Sequence, residues 1–106
     1  MIPEFRRYTS KAKQFCEPQL FTLEYLTLGL VEESGEVAGK VKRVLRGDYE
    51  KFPVKEVTNE LGDVLWNFAL LLDFLGIPLE TVMEKNLEKL NERRLNNKIK
   101  GTGDER

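Results

Sequence analysis

Four acidic residues in two pairs carry the chemistry open to this chain. Glu33 and Glu36 stand three apart in VEESGEVAG, and Glu60 and Asp63 repeat that spacing in NELGDV. At 3.6 residues per turn, each pair shares one helix face. The second pair runs on into Asn67 and then into Leu70, Leu71 and Phe74, so two acids and an amide begin a stripe that turns apolar. On an exposed face, like charges one turn apart cost only about 0.2–0.5 kcal/mol and are tolerated. Partly buried, at about 6 Å and an effective dielectric of about 20, each pair repels by roughly 3 kcal/mol. Several such pairs would cancel much of a small domain's stability. A divalent cation with oxygen ligands resolves the conflict, and carboxylate sites suit Mg²⁺ or Mn²⁺. Either pair alone reads equally as a solvated helix surface, with Glu36 paired to Lys40 at i+4. Both together, in line with an apolar stripe, point to a metal centre.

A second constellation lies downstream. Asn86, Lys89 and Arg93 are spaced i, i+3, i+7 and share a helix face. A row of cations opposite a metal is what a polyphosphate needs, because the two together neutralise its charge. The plainer reading is a solvated face with Glu88 and Glu92 as partners. Elimination narrows the chemistry further. The chain has no histidine and one cysteine, Cys16. Ser-His and Cys-His nucleophiles, His-ligated zinc, thiolate zinc and an internal disulfide are therefore all excluded. What is left is carboxylates, amides, Lys/Arg and a hard metal ion.

The elements that must position these residues read as helical throughout. Helix one runs from about Pro3 to Cys16, with Phe5, Tyr8, Ala12, Phe15 and Cys16 on an apolar core face. Helix two begins near Leu20 and carries Leu23, Leu26, Leu30, Val37, Val41 and Val44 on one side. Basic residues crowd its last turns, and Gly47 follows as the residue just past the end. Helix three opens at Pro53 and stops around Leu75-Gly76; helix four starts at Pro78 and reaches about Lys98. Residues 97–106 read as a flexible, Gly-rich tail. No alternating strand pattern interrupts this. Short connections favour antiparallel neighbours, so the expected fold is all-α, an antiparallel bundle of about four helices in a single domain spanning 1–106. Helix three is so rich in Leu and Phe that it needs burial on more than one side. Completion of the bundle by a homodimer is the expectation, with a thick monomeric core as the alternative.

Bulk composition sets the boundaries. The chain has 106 residues, with 17 basic and 18 acidic side chains giving a net charge of −1. That balance argues against a general nucleic-acid-binding surface. No apolar run approaches the roughly 20 residues of a membrane span, and MIPEFRRYTSK lacks the apolar region of a signal peptide. The expected location is the cytoplasm, with no membrane partner.

With these residues in view, the chain resembles the MazG-type nucleotide pyrophosphohydrolases of the all-α NTP pyrophosphatase superfamily. LTLGLVEESGEVAGKVKRVLRGD, NELGDVLWNFALLLDFLGIPLETVMEKNLEKLNER and KGTGDER carry the likeness. The hallmark is E-x-x-E followed, after a spacer, by E-x-x-D. The resemblance implies hydrolysis of (deoxy)nucleoside triphosphates to monophosphate and pyrophosphate, with Mg²⁺, in homodimers or dimer-based tetramers. It implies that Glu33, Glu36, Glu60 and Asp63 are the catalytic metal ligands. Asn67 and Asn86 would position ligands or phosphate, and Lys89 and Arg93 would bind the triphosphate. Sister activities on the same scaffold are dUTP/dUDP and phosphoribosyl-ATP hydrolysis; the non-enzyme alternative is a helical dimerisation or regulatory module. Many relatives place Gln directly after a Tyr near Tyr8, where this chain has Thr9, so the resemblance does not fix the base. Trp66 reads as packing or interface before base stacking.

Overall fold

In the computed structural model, which describes residues 2–96, four α-helices follow one another: α1 (Ile2–Lys13), α2 (Leu23–Arg46), α3 (Val54–Leu75) and α4 (Leu79–Leu95). No strand occurs among the described residues. The all-α fold and the helix count are those expected. The tail assigned to 97–106 lies outside the described residues.

Helix ends follow local chemistry. Gly47 and Gly76 close α2 and α3 with φ of 91° and 68°, left-handed values that cost other residues steric strain. Across the first, Asp48 N–H donates to the Arg43 carbonyl at 3.0 Å; across the second, Ile77 N–H donates to that of Leu72 at 3.0 Å. The start of α2 is later than the apolar pattern suggests. Pro18–Leu20 forms a separate 3₁₀ turn, and Thr22 caps the helix by accepting from the Tyr25 N–H at 3.2 Å. Likewise α1 stops at Lys13, so Phe15 leaves the helical stripe and is 82% exposed rather than core.

Packing is centred on the antiparallel α2–α3 pair, with α1 laid across α3. Leu26 of α2 and Leu70 of α3 are fully buried and, with Ala12 of α1, form the centre of the core. Tyr8, Cys16, Phe21, Trp66 and Leu71 pack around them. Burying one such leucine stabilises by about 1.5–3 kcal/mol. The end of α1 is fixed to α3 by the Trp66 indole N–H, which donates to the Ala12 carbonyl at 3.0 Å. Lys13 adds an ion pair to Asp73 at 2.9 Å and sits 4.3 Å from the centre of the Phe21 ring.

α4 does not fold back as a fourth antiparallel member. It leaves α3 at 100° and has only sparse contact with the other helices. Much apolar surface is left open in the single chain. On α2, Leu28 (70%), Val31 (67%) and Leu45 (85%) are exposed; on α3, Leu61 (52%) and Leu65 (41%). Leu28 and Val31 stand one turn apart on α2, and Leu61 and Leu65 one turn apart on α3, so each helix presents an exposed apolar strip of its own. No single helix is long and apolar enough to cross a membrane among the described residues.

Candidate metal centre

Antiparallel pairing brings the two acid pairs to the same level of the α2–α3 seam. Lys40 meets Glu56 at 3.6 Å at one level, and Gly29 abuts Asn67 at another. Glu33 lies between these levels on α2, and Glu60 and Asp63 lie between them on α3. One carboxylate oxygen from each of Glu33, Glu60 and Asp63 falls within 4.8 Å of the others. Glu33 and Glu60 are half-buried, and Asp63 is exposed. Glu36 is exposed and outside that trio, one turn further along α2. Lys40 is paired with Glu56 instead of forming the simple i+4 bridge to Glu36 that its spacing allows.

The electrostatics are those of crowded acids. Burial pushes the Glu33 carboxyl above its ordinary value, and the charges of Asp63, Glu32, Glu60 and Glu36 push it the same way. Burial, with a smaller contribution from Asp63, also raises the Tyr8 hydroxyl. No Lys or Arg is paired with Glu33, Glu60 or Asp63 in any ion pair of the described residues within 4.0 Å. Three convergent carboxylates with no nitrogen or sulfur donor fit a hard, oxygen-preferring cation such as Mg²⁺ or Mn²⁺.

The acids border an open groove of about 500 Å³ lined by Tyr25, Leu28, Glu32, Glu33, Trp66 and Asn67, among others. Asn67 forms part of its wall while 5% exposed, and its Nδ2 donates to the Asp63 carbonyl at 3.0 Å. Glu32, next to Glu33, is exposed and lines the groove as well. Tyr25 and Gly29 were missed altogether. Their signal was available, since they stand two turns and one turn before Glu33 on the same helix. Thr9 faces a different cleft, between α1 and the α3–α4 corner, and its hydroxyl donates to the Phe5 carbonyl at 2.9 Å.

Among the described residues the cationic row and the acids line different grooves. Asn86 and Lys89 line a groove of their own on α4 with Lys85, Glu88 and Glu92. Arg93 is buried, at 6% exposure. No residue lines both this groove and the acidic one.

An all-α fold whose central helix pair gathers carboxylates beside an open groove defines a class of helical, carboxylate-centred proteins suited to a divalent ion. Residues 21–97 match the MazG nucleotide pyrophosphohydrolase domain, and the chain belongs to that family. Gene 37 protein of Mycobacterium phage L5 is 44% identical over 87 residues, covering 79% of this chain and 76% of that protein. YvdC of Bacillus subtilis (strain 168) is 36% identical over 93 residues, covering 76% of this chain and 87% of that protein. No solved structure matches the chain.

Proposed function

We propose that this chain hydrolyses (deoxy)nucleoside triphosphates to the monophosphate and pyrophosphate in a Mg²⁺-dependent reaction. The observation that carries the reading is the convergence of Glu33, Glu60 and Asp63 within 4.8 Å, beside an open groove, in a member of the MazG family. These three would hold the ion, and Glu36, one turn along α2, would add a fourth carboxylate. When bound, such an ion neutralises phosphate oxygens and acidifies water. A carboxylate of the cluster takes the proton of the attacking water. Oxygen bonds to the α-phosphorus, the bond from that phosphorus to the α–β bridging oxygen breaks, and pyrophosphate leaves. Little covalent help from the protein is needed, because positioning and charge neutralisation supply most of the rate.

Asn86 and Lys89, which line the α4 groove, are proposed to bind the triphosphate, with Asn67 supporting the acids from the groove wall; Arg93, expected from its spacing to join them, is buried and does not line that groove. Among the described residues none lines both the acidic groove and the α4 groove, and Leu28 and Val31 of α2 and Leu61 and Leu65 of α3 are exposed. A homodimer that covers exposed apolar surface and brings α4 of a second copy toward the acids accounts for both observations. Sedimentation velocity at micromolar concentration is then expected to give at least twice the 12.3 kDa chain mass; a monomer there would refute the dimer. For the reaction, a panel of nucleotides with Mg²⁺ is expected to release pyrophosphate and monophosphate in equal amounts. Release of inorganic phosphate instead, or no turnover of any nucleotide, would refute attack at the α-phosphorus.

A further inference from the structure

One contact in the α2–α3 seam stands a turn away from the acids on both helices. Gly29 precedes Glu33 by four residues, and Asn67 follows Asp63 by four. A Cβ at position 29 would lie 2.1 Å from Oδ1 of Asn67 and 2.8 Å from its Cγ, far inside any ordinary contact. The tip of a side chain can often step aside, but this one is held. Asn67 is 5% exposed, and moving its amide breaks the 3.0 Å bond from Nδ2 to the Asp63 carbonyl. Other glycines on these two helices differ. Gly35, Gly39 and Gly62 have nothing within 4 Å of the equivalent point, so the close fit is particular to position 29.

The geometry points to Gly29 and Asn67 as a positioning pair: the missing Cβ and the amide that fills its place set the helix separation at which Glu33 reaches Glu60 and Asp63. This rests on reading those acids as metal ligands. The same amide anchors the backbone of Asp63, so the spacing between the helices and the placement of one ligand are set by a single group. On the other side of the acids, Lys40 and Glu56 at 3.6 Å hold the register. Carboxylate ligation of Mg²⁺ demands near-ideal geometry, and a misplacement of about 1 Å is enough to cost a hundredfold in a positioned site. A methyl group at position 29 is the smallest wedge that forces such a shift.

The test is a double-mutant cycle on the full chain, read by titration of Mn²⁺ alone followed by electron paramagnetic resonance of the free ion. Gly29→Ala is expected to weaken Mn²⁺ binding about tenfold or more. In the Asn67→Ala background the same substitution meets no amide, so its effect is expected to shrink to within about threefold. Gly39→Ala, with open space around it, is expected to bind Mn²⁺ as the wild type does. Should Gly29→Ala fail to fold by far-UV circular dichroism, the double variant must fold and match Asn67→Ala in Mn²⁺ affinity. Wild-type affinity in Gly29→Ala, or an equal penalty in both backgrounds, would overturn the positioning role while leaving the metal site standing. Absence of Mn²⁺ binding by the wild type would instead remove the metal site itself, and the positioning role with it.

Discussion

Asp63→Asn is expected to lower kcat/KM for pyrophosphate release by about 100-fold or more, a loss of roughly 2.7 kcal/mol of transition-state stabilisation. The substitution keeps the shape of the side chain and removes one of three converging carboxylates. The fold has little reason to object. Asp63 is exposed, and its backbone carbonyl still accepts from the Asn67 amide within α3. Far-UV circular dichroism is therefore expected to be unchanged, and raising the Mn²⁺ concentration is expected to restore part of the rate by mass action. Activity within threefold of wild type at low metal would refute the assignment of this residue. A loss of helix content would mean that the rate had fallen for want of a fold.

Periodicity made much of α3 legible. Glu60, Asp63, Asn67 and Leu70 were placed on one line, and in the structure Asn67 and Leu70 are buried while Glu60 and Asp63 meet Glu33. The closing glycines, Gly47 and Gly76, were also readable, because a left-handed C′ position selects glycine for a local reason. Features that depend on chain breaks inside an apolar pattern were not. Leu20 and Leu23 continue a helical stripe across the 3₁₀ turn and the Thr22 cap, so the pattern ran through a real boundary. Phe15 extended the stripe of α1 past its α-helical end at Lys13 into a tighter turn, where its N–H donates to the Ala12 carbonyl at 3.1 Å. The 100° corner between α3 and α4 was hidden because Ile77 and Pro78 suit a sharp corner as well as a reversal. In the site, residue types and spacing pointed to two acid pairs, but not that Glu33, Glu60 and Asp63 converge while Glu36 lies outside the trio. The contact between Gly29 and Asn67 requires knowing the register of one helix on another, which no single-helix pattern contains.

Glu33→Gln is expected to move stability in opposite directions with and without metal. Burial and four neighbouring acids raise the Glu33 carboxyl above its ordinary 4.5. A carboxyl raised in the folded state contributes its full stability while protonated, below the unfolded value, and that contribution is lost as pH rises through the folded value. At pH 7 the metal-free wild type therefore bears the whole repulsion, and the glutamine variant does not. Solvent screening of a half-exposed group keeps the difference below about 1 kcal/mol, a rise of a few degrees in Tm for a domain of this size. The gap should close as the pH falls below 4.5. Saturating Mg²⁺ reverses the order. At about 100 times its dissociation constant a bound ion adds about 2.7 kcal/mol to the wild type, and a variant lacking one ligand gains far less. Thermal melts at one protein concentration, with EDTA or with Mg²⁺, are thus expected to cross. An acid that merely decorates a surface gives parallel shifts, since it has neither crowded neighbours to repel it nor an ion to hold. Absence of a crossing would remove Glu33 from the metal centre, whatever the rate of the variant.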